Sequence, residues 1–280
     1  MIVVTGATGQ VGTELRARLG EGAVYLDRRT LDFDAPGDVA ALLESLGCSL
    51  VINAAGHTQV DRAESEEPAA FRANADTPAL LARAARERGA GLIHFSTDYV
   101  FSGEANTPYR ETDLTGPQGV YGASKLAGEK RVLEAHPGAL ILRTSWVYAA
   151  HGKNFVRTIL KAGAERDELR VVYDQVGSPT WAGDVADFAL RAHGAGLQGV
   201  HHFSAEGVTS WYDVAEYIRR RCNLRARVTP IRSAEYPTPA RRPAYSVLDK
   251  SKLKAALGIT IPHWTVSLDR VLDQLTLGAP

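Results

Sequence analysis

Short apolar, β-branched runs alternate with stretches of helical periodicity along most of this 280-residue chain. The runs are residues 2–4, 23–26, 50–52, 92–95, 140–142 and 171–173. Strands that are separated by helix-length segments pair in parallel, with the helices as crossovers. The runs are apolar at nearly every position, which is typical of strands covered on both faces. The pattern therefore predicts an α/β fold of the Rossmann type, with a doubly wound parallel sheet.

The regular alternation weakens after Arg143, where Pro-rich connections interrupt the helical patterns. Residues 200–203 have the composition of one more strand of the main sheet. We therefore predict a dinucleotide-binding core at residues 1–145, with returning segments near 171–204. Residues 146–170 and 205–280 are predicted to form a smaller, discontinuous C-terminal lobe that binds the substrate.

Overall charge and composition argue against several classes of partner. Lys and Arg together number 32, as do Asp and Glu, so no net charge draws the chain to nucleic acid or to an anionic membrane. No apolar stretch is long enough to span a bilayer, and the segment before the first glycine is too short for a signal peptide. Cys48 and Cys222 lie far apart, as expected of free thiols in a reducing compartment. We expect a cytoplasmic protein.

A glycine-rich turn directly follows the first predicted strand and opens the first predicted helix, at residues 6–12 (GATGQVG). Glycines in this position allow a tight turn, close approach of the backbone to a pyrophosphate, and close packing of helix on strand. The helix N-terminus then offers free N–H groups and positive potential to the phosphates. We predict a dinucleotide site that includes Gly6, Gly9, Gln10, Val11 and Gly12.

The second predicted strand ends in charges of both signs, Asp27, Arg28 and Arg29. In a doubly wound fold this point meets the adenosine ribose, where an acid suits the free 2′-hydroxyl of NADH and an arginine suits the 2′-phosphate of NADPH. The sequence therefore favours use of either cofactor, with the alternative that both arginines only face solvent. Asp32 and Phe33 follow, and we expect them to hydrogen-bond and pack against adenine.

Tyr121 and Lys125 are four residues apart in a segment of helical pattern, so they share one face. A phenol, with an ordinary pKa of about 10, is a poor proton shuttle near neutrality unless a cation stabilises the phenolate. We expect Lys125, together with the positive charge of oxidised nicotinamide, to lower the pKa of Tyr121. Thr97 follows the strand at residues 92–95, at the sheet edge where ligands bind, and can share the proton with Tyr121. These three are the predicted catalytic residues.

Small residues follow the third predicted strand, at residues 53–58 (NAAGHT). They leave room for a cofactor to lie across the strand ends, next to Gly56, His57 and Thr58. A lone histidine is more often structural or cofactor-contacting than a metal ligand, and no second ligand stands at metal-binding spacing from His57. No metal role is assigned.

With these motifs in order, the chain resembles the extended short-chain dehydrogenase/reductase superfamily, and more narrowly the dTDP-4-dehydrorhamnose reductase family. The likeness runs almost from end to end. It is carried by residues 9–12 (GQVG), 53–58 (NAAGHT), 60–64 (VDRAE), 96–101 (STDYVF), 120–122 (VYG), 125–129 (KLAGE), 143–149 (RTSWVYA), 174–180 (DQVGSPT) and 236–243 (YPTPARRP).

The resemblance implies reduction of the C4 ketone of dTDP-4-dehydro-6-deoxy-L-mannose to dTDP-L-rhamnose, the last step of dTDP-rhamnose synthesis, with hydride from NADPH or NADH. It implies Tyr121 as proton donor, with Lys125 and Thr97 as helpers. The cofactor residues that it implies are Gly9, Gln10, Val11, Asp27, Asp32, Phe33, Gly56, His57 and Thr58.

The same resemblance implies a dTDP-sugar site formed by Thr97, Asp98, Trp146 and Val60. For Trp146, ordinary packing is the alternative. Arg241 and Arg242 are candidates for the diphosphate, because guanidinium groups match phosphate geometry. A charged loop that faces solvent is an equal alternative for these two arginines.

Some members of this family are described as magnesium-linked dimers that use glutamates near the first helix and the carboxyl terminus. Glu14 matches the first of these positions, whereas residues 268–280 contain no glutamate. A homodimer is compatible with the sequence, but a magnesium site is not expected.

Two other functions occur on this fold. A sugar-nucleotide 4-epimerase or 4,6-dehydratase would keep and recycle its nicotinamide, and a dehydratase commonly carries a glutamate where Tyr99 follows Asp98 here. A regulatory subunit of the methionine adenosyltransferase type would bind a synthetase without catalysis. The presence of Thr97, Tyr121 and Lys125 together favours a reductase over that role.

Overall fold

The computed structural model describes residues 1–277. Its strands are β1 (Ile2–Thr5), β2 (Ala23–Leu26), β3 (Leu50–Asn53), β4 (Gly91–Thr97), β5 (Leu140–Thr144), β6 (Val147–Tyr148), β7 (Glu168–Val172), β8 (Val176–Gly177), β9 (Thr180–Trp181), β10 (Gly199–His202), β11 (Thr209–Ser210) and β12 (Arg227–Ile231). Its α-helices are α1 (Gln10–Leu19), α2 (Val39–Ser45), α3 (Val60–Ala63), α4 (Glu67–Phe71), α5 (Thr77–Glu87), α6 (Val120–Ala135), α7 (Phe155–Glu165), α8 (Ala182–Gly194), α9 (Trp211–Arg221), α10 (Ser251–Leu257) and α11 (Trp264–Leu277). Among these helices none is both long and apolar enough to cross a membrane.

Six strands form the central sheet in the order β10-β5-β4-β3-β1-β2, and every neighbouring pair is parallel. The chain winds outward from β1 to β2, then returns to the other side of β1 for β3, β4, β5 and β10. The predicted doubly wound Rossmann-type sheet is confirmed, including its last strand near residue 200. The switch in winding direction between β1 and β3 opens a crevice at the carboxyl ends of the strands, where such folds bind ligands.

Alternate residues of each central strand pack into two different apolar layers. Val4 and Ile52 are buried against α1 and α8, whereas Val3 and Val51 are buried against α2 and α5. Because both faces of the sheet are covered, the side chains that point to either face are apolar. This explains the continuous apolar runs in the sequence, and it makes the sheet a rigid support for groups at its edge.

The run at residues 171–173, which we predicted to be a strand of the main sheet, lies elsewhere. It belongs to β7, which pairs in parallel with β12 in a separate two-stranded sheet. The exposure of β7 shows why: Leu169 and Val171 are buried while Glu168 and Arg170 are exposed. Such alternation is typical of a strand covered on one face only. That part of the domain prediction is therefore wrong.

A third apolar cluster holds the smaller lobe together, with contributions from α7, β7, α9, β12 and α11. Its members include Val156, Ile218, Val228 and Leu268, which come from segments far apart in the chain. Whether the lobe is a separate domain with the predicted limits stays a prediction, and its residues 278–280 lie outside the described residues.

Candidate active site

A cleft of about 780 Å³ opens at the carboxyl ends of the central strands. Most predicted site residues line it: Gly6, Gly9, Gln10, Val11, Asp27, Arg28, Asp32, Phe33, Gly56, His57, Thr58, Val60, Thr97, Asp98, Tyr121, Lys125 and Trp146. Four predicted residues, Gly12, Arg29, Arg241 and Arg242, are not part of this lining. The fold thus brings the predicted cofactor, catalytic and sugar residues to one cavity, while their individual roles stay predictions.

The glycine turn is shaped to hold a pyrophosphate against the backbone. Gly6 has a φ of +67°, and a Cβ there would lie 2.5 Å from the backbone of Ala54. A Cβ on Gly12 would lie 2.2 Å from the carbonyl oxygen of Gly6. The N-cap of α1 is Gly9, which has no side chain to satisfy the first N–H groups of the helix. Those groups are free for phosphate oxygens, so the turn fits a dinucleotide cofactor.

At the end of β2, the predicted ribose-binding charges are partly engaged with neighbours. Hydrogen bonds from the backbone and the hydroxyl of Thr30, and from the N–H of Arg29, hold the pKa of Asp27 below its ordinary value. Arg28 is 77% exposed and forms ion pairs with Asp34 at 2.8 Å and Asp32 at 3.4 Å. An ionised Asp27 suits a ribose hydroxyl and an exposed Arg28 suits a phosphate, so either nicotinamide cofactor fits this end of the cleft.

Burial dominates the proton chemistry of Tyr121 and Lys125. Burial raises the pKa of Tyr121 to about 12, against a lowering by the nearby Thr97 hydroxyl, and the charge of Asp98 raises it further. Burial lowers the pKa of Lys125 to about 8, and Glu129 opposes that change. The ammonium of Lys125 donates to the carbonyl oxygen of Phe95 at 2.6 Å. Without a cofactor, desolvation of the phenolate thus keeps the pKa of Tyr121 high, and the expected lowering by Lys125 together with oxidised nicotinamide stays a prediction.

A buried ion pair fixes α6, the helix that carries Tyr121 and Lys125, to the sheet. Glu129, one turn after Lys125 on α6, accepts two hydrogen bonds from Arg143 of β5, at 2.8 and 2.7 Å. The Ser96 hydroxyl of β4 donates to the same carboxylate at 2.5 Å. Because both charges are almost fully buried, each needs the other to remain inside the protein. The position of Lys125 relative to the strand end is thereby fixed.

A single amide connects the predicted cofactor loop to the same helix. Asn74, in the π-helical turn Arg72–Asp76, accepts from the His57 N–H at 2.8 Å and donates to the His57 carbonyl at 3.0 Å. It also donates to the hydroxyl of Ser124 at 2.9 Å. The imidazole of His57 contacts Glu66 at 3.1 Å. His57 is thus held as part of a loop facing the cofactor region, and sequence reasoning missed Asn74, whose partners are distant in the chain.

Two tryptophans form the wall of the cleft on the side of the smaller lobe. Trp146 has a backbone φ of +50°, a conformation that strains a residue other than glycine. Its indole stacks on Trp211, with ring centroids 3.6 Å apart and planes 8° from parallel. Sequence reasoning missed Trp211 and Lys153, which both line the cleft. The capping box around Ser210 signals that a helix starts there, but nothing local signals that the indole reaches the cleft.

Comparison with known proteins agrees with this geometry. A family model described as the RmlD substrate binding domain matches residues 1–277. A dTDP-4-dehydrorhamnose reductase from Burkholderia thailandensis is 45% identical, over 94% of this chain and 95% of that protein. The chain belongs to the dTDP-4-dehydrorhamnose reductase family. The resemblance found in the sequence is confirmed.

Two further relatives bear on what members of the dTDP-4-dehydrorhamnose reductase family bind. The crystal structure of the Bacillus anthracis dTDP-4-dehydrorhamnose reductase in complex with NADP matches with a TM-score of 0.94 and 35% identity, over 98% of each chain. A Streptomyces antibioticus protein named as a probable dTDP-4,6-dihydroxy-2-methyloxan-3-one 4-ketoreductase is 41% identical, over 95% of this chain and 92% of that protein. The family therefore includes proteins named for more than one dTDP-linked ketone.

The two arginines predicted to bind the diphosphate do not line the main cleft. Arg242 forms a two-pronged ion pair with Asp61, at 3.1 and 2.8 Å. Arg241 lines a small neighbouring cavity beside Tyr99 and Tyr121. Arg242 is therefore already neutralised by a carboxylate that joins α3 to the loop before α10. The binding of a diphosphate by Arg242 stays a prediction, and it would require Arg242 to leave its ion pair with Asp61.

The residues near Glu14 do not fit the magnesium site described for some members of the reductase family. The guanidinium of Arg18 lies between two carboxylates, at 2.8 Å from Glu14 and 2.6 Å from Asp187. Both carboxylates are therefore already paired with a cation of the chain itself. Within residues 1–277 no group of three or more His, Cys, Asp or Glu side chains is arranged to hold a metal ion.

Proposed function

We propose that this protein reduces the C4 ketone of dTDP-4-dehydrorhamnose to dTDP-L-rhamnose, using NADPH or NADH. The observation that carries the proposal is that the glycine turn, the half-buried Tyr121 and the buried Lys125 meet in one cleft of a chain of this family. Bound nicotinamide would supply the hydride. Side chains that line the cleft would bind and orient the sugar and supply the proton.

Tyr121 is suited to hold the proton that the C4 oxygen of the sugar receives. Because burial raises its pKa to about 12, the phenol stays protonated at neutral pH and is ready to donate. Thr97 lies beside it at the end of β4, and Lys125 provides a positive charge within the same buried region. The stacked indoles of Trp146 and Trp211 offer an apolar wall for the methyl-bearing face of a deoxysugar and exclude water from the reacting carbon.

A second candidate substrate comes from the relative in Streptomyces antibioticus. That protein is named for a different dTDP-linked 4-ketone, at an identity similar to that of the dTDP-4-dehydrorhamnose reductases. The reaction class is the same for both substrates. The sugar is decided by the lobe side of the cleft, where Trp146 and Trp211 lie.

The test is to follow nicotinamide absorbance with each of the two keto-sugars and with NADH or NADPH. Loss of one reduced nicotinamide for each keto-sugar is expected, fastest with dTDP-4-dehydrorhamnose. Turnover without net cofactor loss would favour an epimerase or dehydratase. An inactive protein that copurifies with a synthetase would favour the regulatory role.

We further propose that the enzyme works in the cytoplasm, where reduced nicotinamides and nucleotide sugars are available. A homodimer also belongs to the proposal. Sedimentation velocity with and without a chelator tests it: because Arg18 already neutralises Glu14 and Asp187, the chelator should leave the oligomeric state unchanged.

A further inference from the structure

Asp98 is a buried acid in the cleft without a compensating cation. It follows Thr97 directly and is 2% exposed. Its Oδ1 accepts a hydrogen bond from the Thr97 hydroxyl at 3.0 Å, while its Oδ2 is buried without a hydrogen-bond partner. The Ser246 hydroxyl lies nearby and favours the ionised carboxylate. No ion pair among the described residues includes Asp98.

The hydrogen bonds of Thr97 limit what its hydroxyl can do. A threonine hydroxyl has one proton to donate and two lone pairs with which to accept. One lone pair accepts the N–H of Tyr99 at 3.2 Å. An ionised Asp98 can only accept, so it takes the single proton of Thr97 and leaves none for Tyr121. A protonated Asp98 can instead donate to Thr97, which frees the Thr97 proton for the phenol.

Both states of Asp98 are accessible near neutrality. Burial raises the pKa of Asp98 to about 6, although the Ser246 and Thr97 hydroxyls lower it. The titratable groups that face it are the phenols of Tyr99 and Tyr121, whose pKa values are also raised by burial. A protonated Asp98 is thus a much stronger acid than Tyr121. Once Tyr121 has lost its proton, transfer from Asp98 towards it is downhill.

We propose that protonated Asp98 returns a proton to Tyr121 through the hydroxyl of Thr97. This inference rests on the proposed reductase function. The C4 oxygen of the sugar takes the phenolic proton as C4 gains the hydride. The Tyr121 oxygen then takes the Thr97 proton, and the Thr97 oxygen takes the carboxyl proton of Asp98. The carboxylate that remains is reprotonated by water, so the net change is one hydride and one solvent proton added to the ketone.

The test variant is Asp98→Asn, which keeps an acceptor for Thr97 but has no acidic proton. In the wild type, kcat should depend on one ionisation with an apparent pKa of about 6 or higher. Above that pKa, kcat should fall tenfold per pH unit, because only protonated Asp98 supplies the proton. In Asp98→Asn that ionisation should disappear and kcat should fall about 10- to 100-fold, with affinity for dTDP and NADPH within about twofold of wild type. Asp98→Glu should restore an acid-dependent profile.

The matched control is Asp184→Asn. Asp184 is another buried acid with a pKa raised by burial, and it is hydrogen-bonded to Ser267 away from the cleft. This variant should keep the wild-type pH profile. An Asp98→Asn profile of the same shape and height as wild type would overturn the proposal.

A second readout does not depend on activity. Carbon-13 NMR of aspartate-labelled protein without ligands should show one carboxyl titrating near pH 6 that is missing in Asp98→Asn. If the Asp98 carboxyl instead titrates near pH ~4, as an ordinary aspartate does, Asp98 carries no proton near neutral pH and the proposed proton transfer is wrong. If the wild type fails to oxidise either cofactor with any keto-sugar, the proposed function fails, and the NMR titration still reports on Asp98.

Discussion

The two sides of the cleft are built by different means. On the sheet side, strand ends and the turns that follow them place each group, and side-chain contacts such as Glu129–Arg143 and Asn74–His57 then hold it. On the lobe side, Trp146 is positioned by Trp211, 65 residues further along the chain, and β7 is completed by β12. The predicted cofactor site therefore follows mainly from local backbone geometry, whereas the wall of the predicted sugar site follows from long-range side-chain contacts. If this division is real, variants of the two sides should have separable kinetic effects.

The largest effect is expected from Tyr121→Phe on the sheet side. Removal of the phenolic proton should lower kcat by about 100- to 10,000-fold. The affinity for NADPH should stay close to wild type, because the ring and its packing remain. Steady-state kinetics and a fluorescence titration of the cofactor measure the two quantities. Near wild-type turnover would remove Tyr121 from the chemistry.

Next in size is Gly12→Ala, which places a Cβ against the carbonyl oxygen of Gly6. The turn must shift, so NADPH affinity should fall at least tenfold and the free energy of unfolding should fall by about 1–3 kcal/mol. Gly194→Ala is the control, because a Cβ there meets nothing within 4 Å. Calorimetric titration and thermal unfolding are the measurements. Equal losses of affinity and stability in both variants would show that the turn does not require a glycine at position 12.

A smaller effect, confined to the sugar, is expected from Trp211→Ala. Loss of the indole stack should raise KM for the keto-sugar about tenfold, since a stacked aromatic pair contributes about 0.5–1.5 kcal/mol. Trp211→Phe should recover most of that loss. Cofactor affinity should be the same in all three proteins. A change in NADPH affinity as large as the change in KM would break the division between the two sides.

The smallest effect is expected from Arg28→Ala. Because Arg28 is exposed, its removal should lower the affinity for NADPH only about fivefold and leave the affinity for NADH almost unchanged. Dissociation constants at low and high salt check this, since the preference should shrink as salt screens the charge. Equal effects on the two cofactors would mean that Arg28 serves only its ion pairs with Asp32 and Asp34.

The sheet and its site were predictable because their signals are local. An apolar run, a glycine turn and a Tyr-Lys spacing each report on a few neighbouring residues, and the sheet places them together without further information. Residues 171–173 were misassigned because a short β-branched run does not reveal its partner, which for β7 is β12. The raised pKa of Tyr121 in the protein without cofactor was not foreseen, because burial is a property of the whole fold. The place of Trp211 in the cleft and the Asp61–Arg242 ion pair were not predicted, because both depend on contacts between residues far apart in the chain.

The amide of Asn74 has a thermodynamic consequence for the order of events in catalysis. It holds both backbone groups of His57 and the hydroxyl of Ser124, the residue before Lys125. Coupling of this kind is reciprocal: whatever free energy a ligand at the His57 loop gives to ordering α6, a ligand at α6 returns to the loop. Any effect of the cofactor on the affinity for the sugar should therefore be matched by an equal effect of the sugar on the affinity for the cofactor.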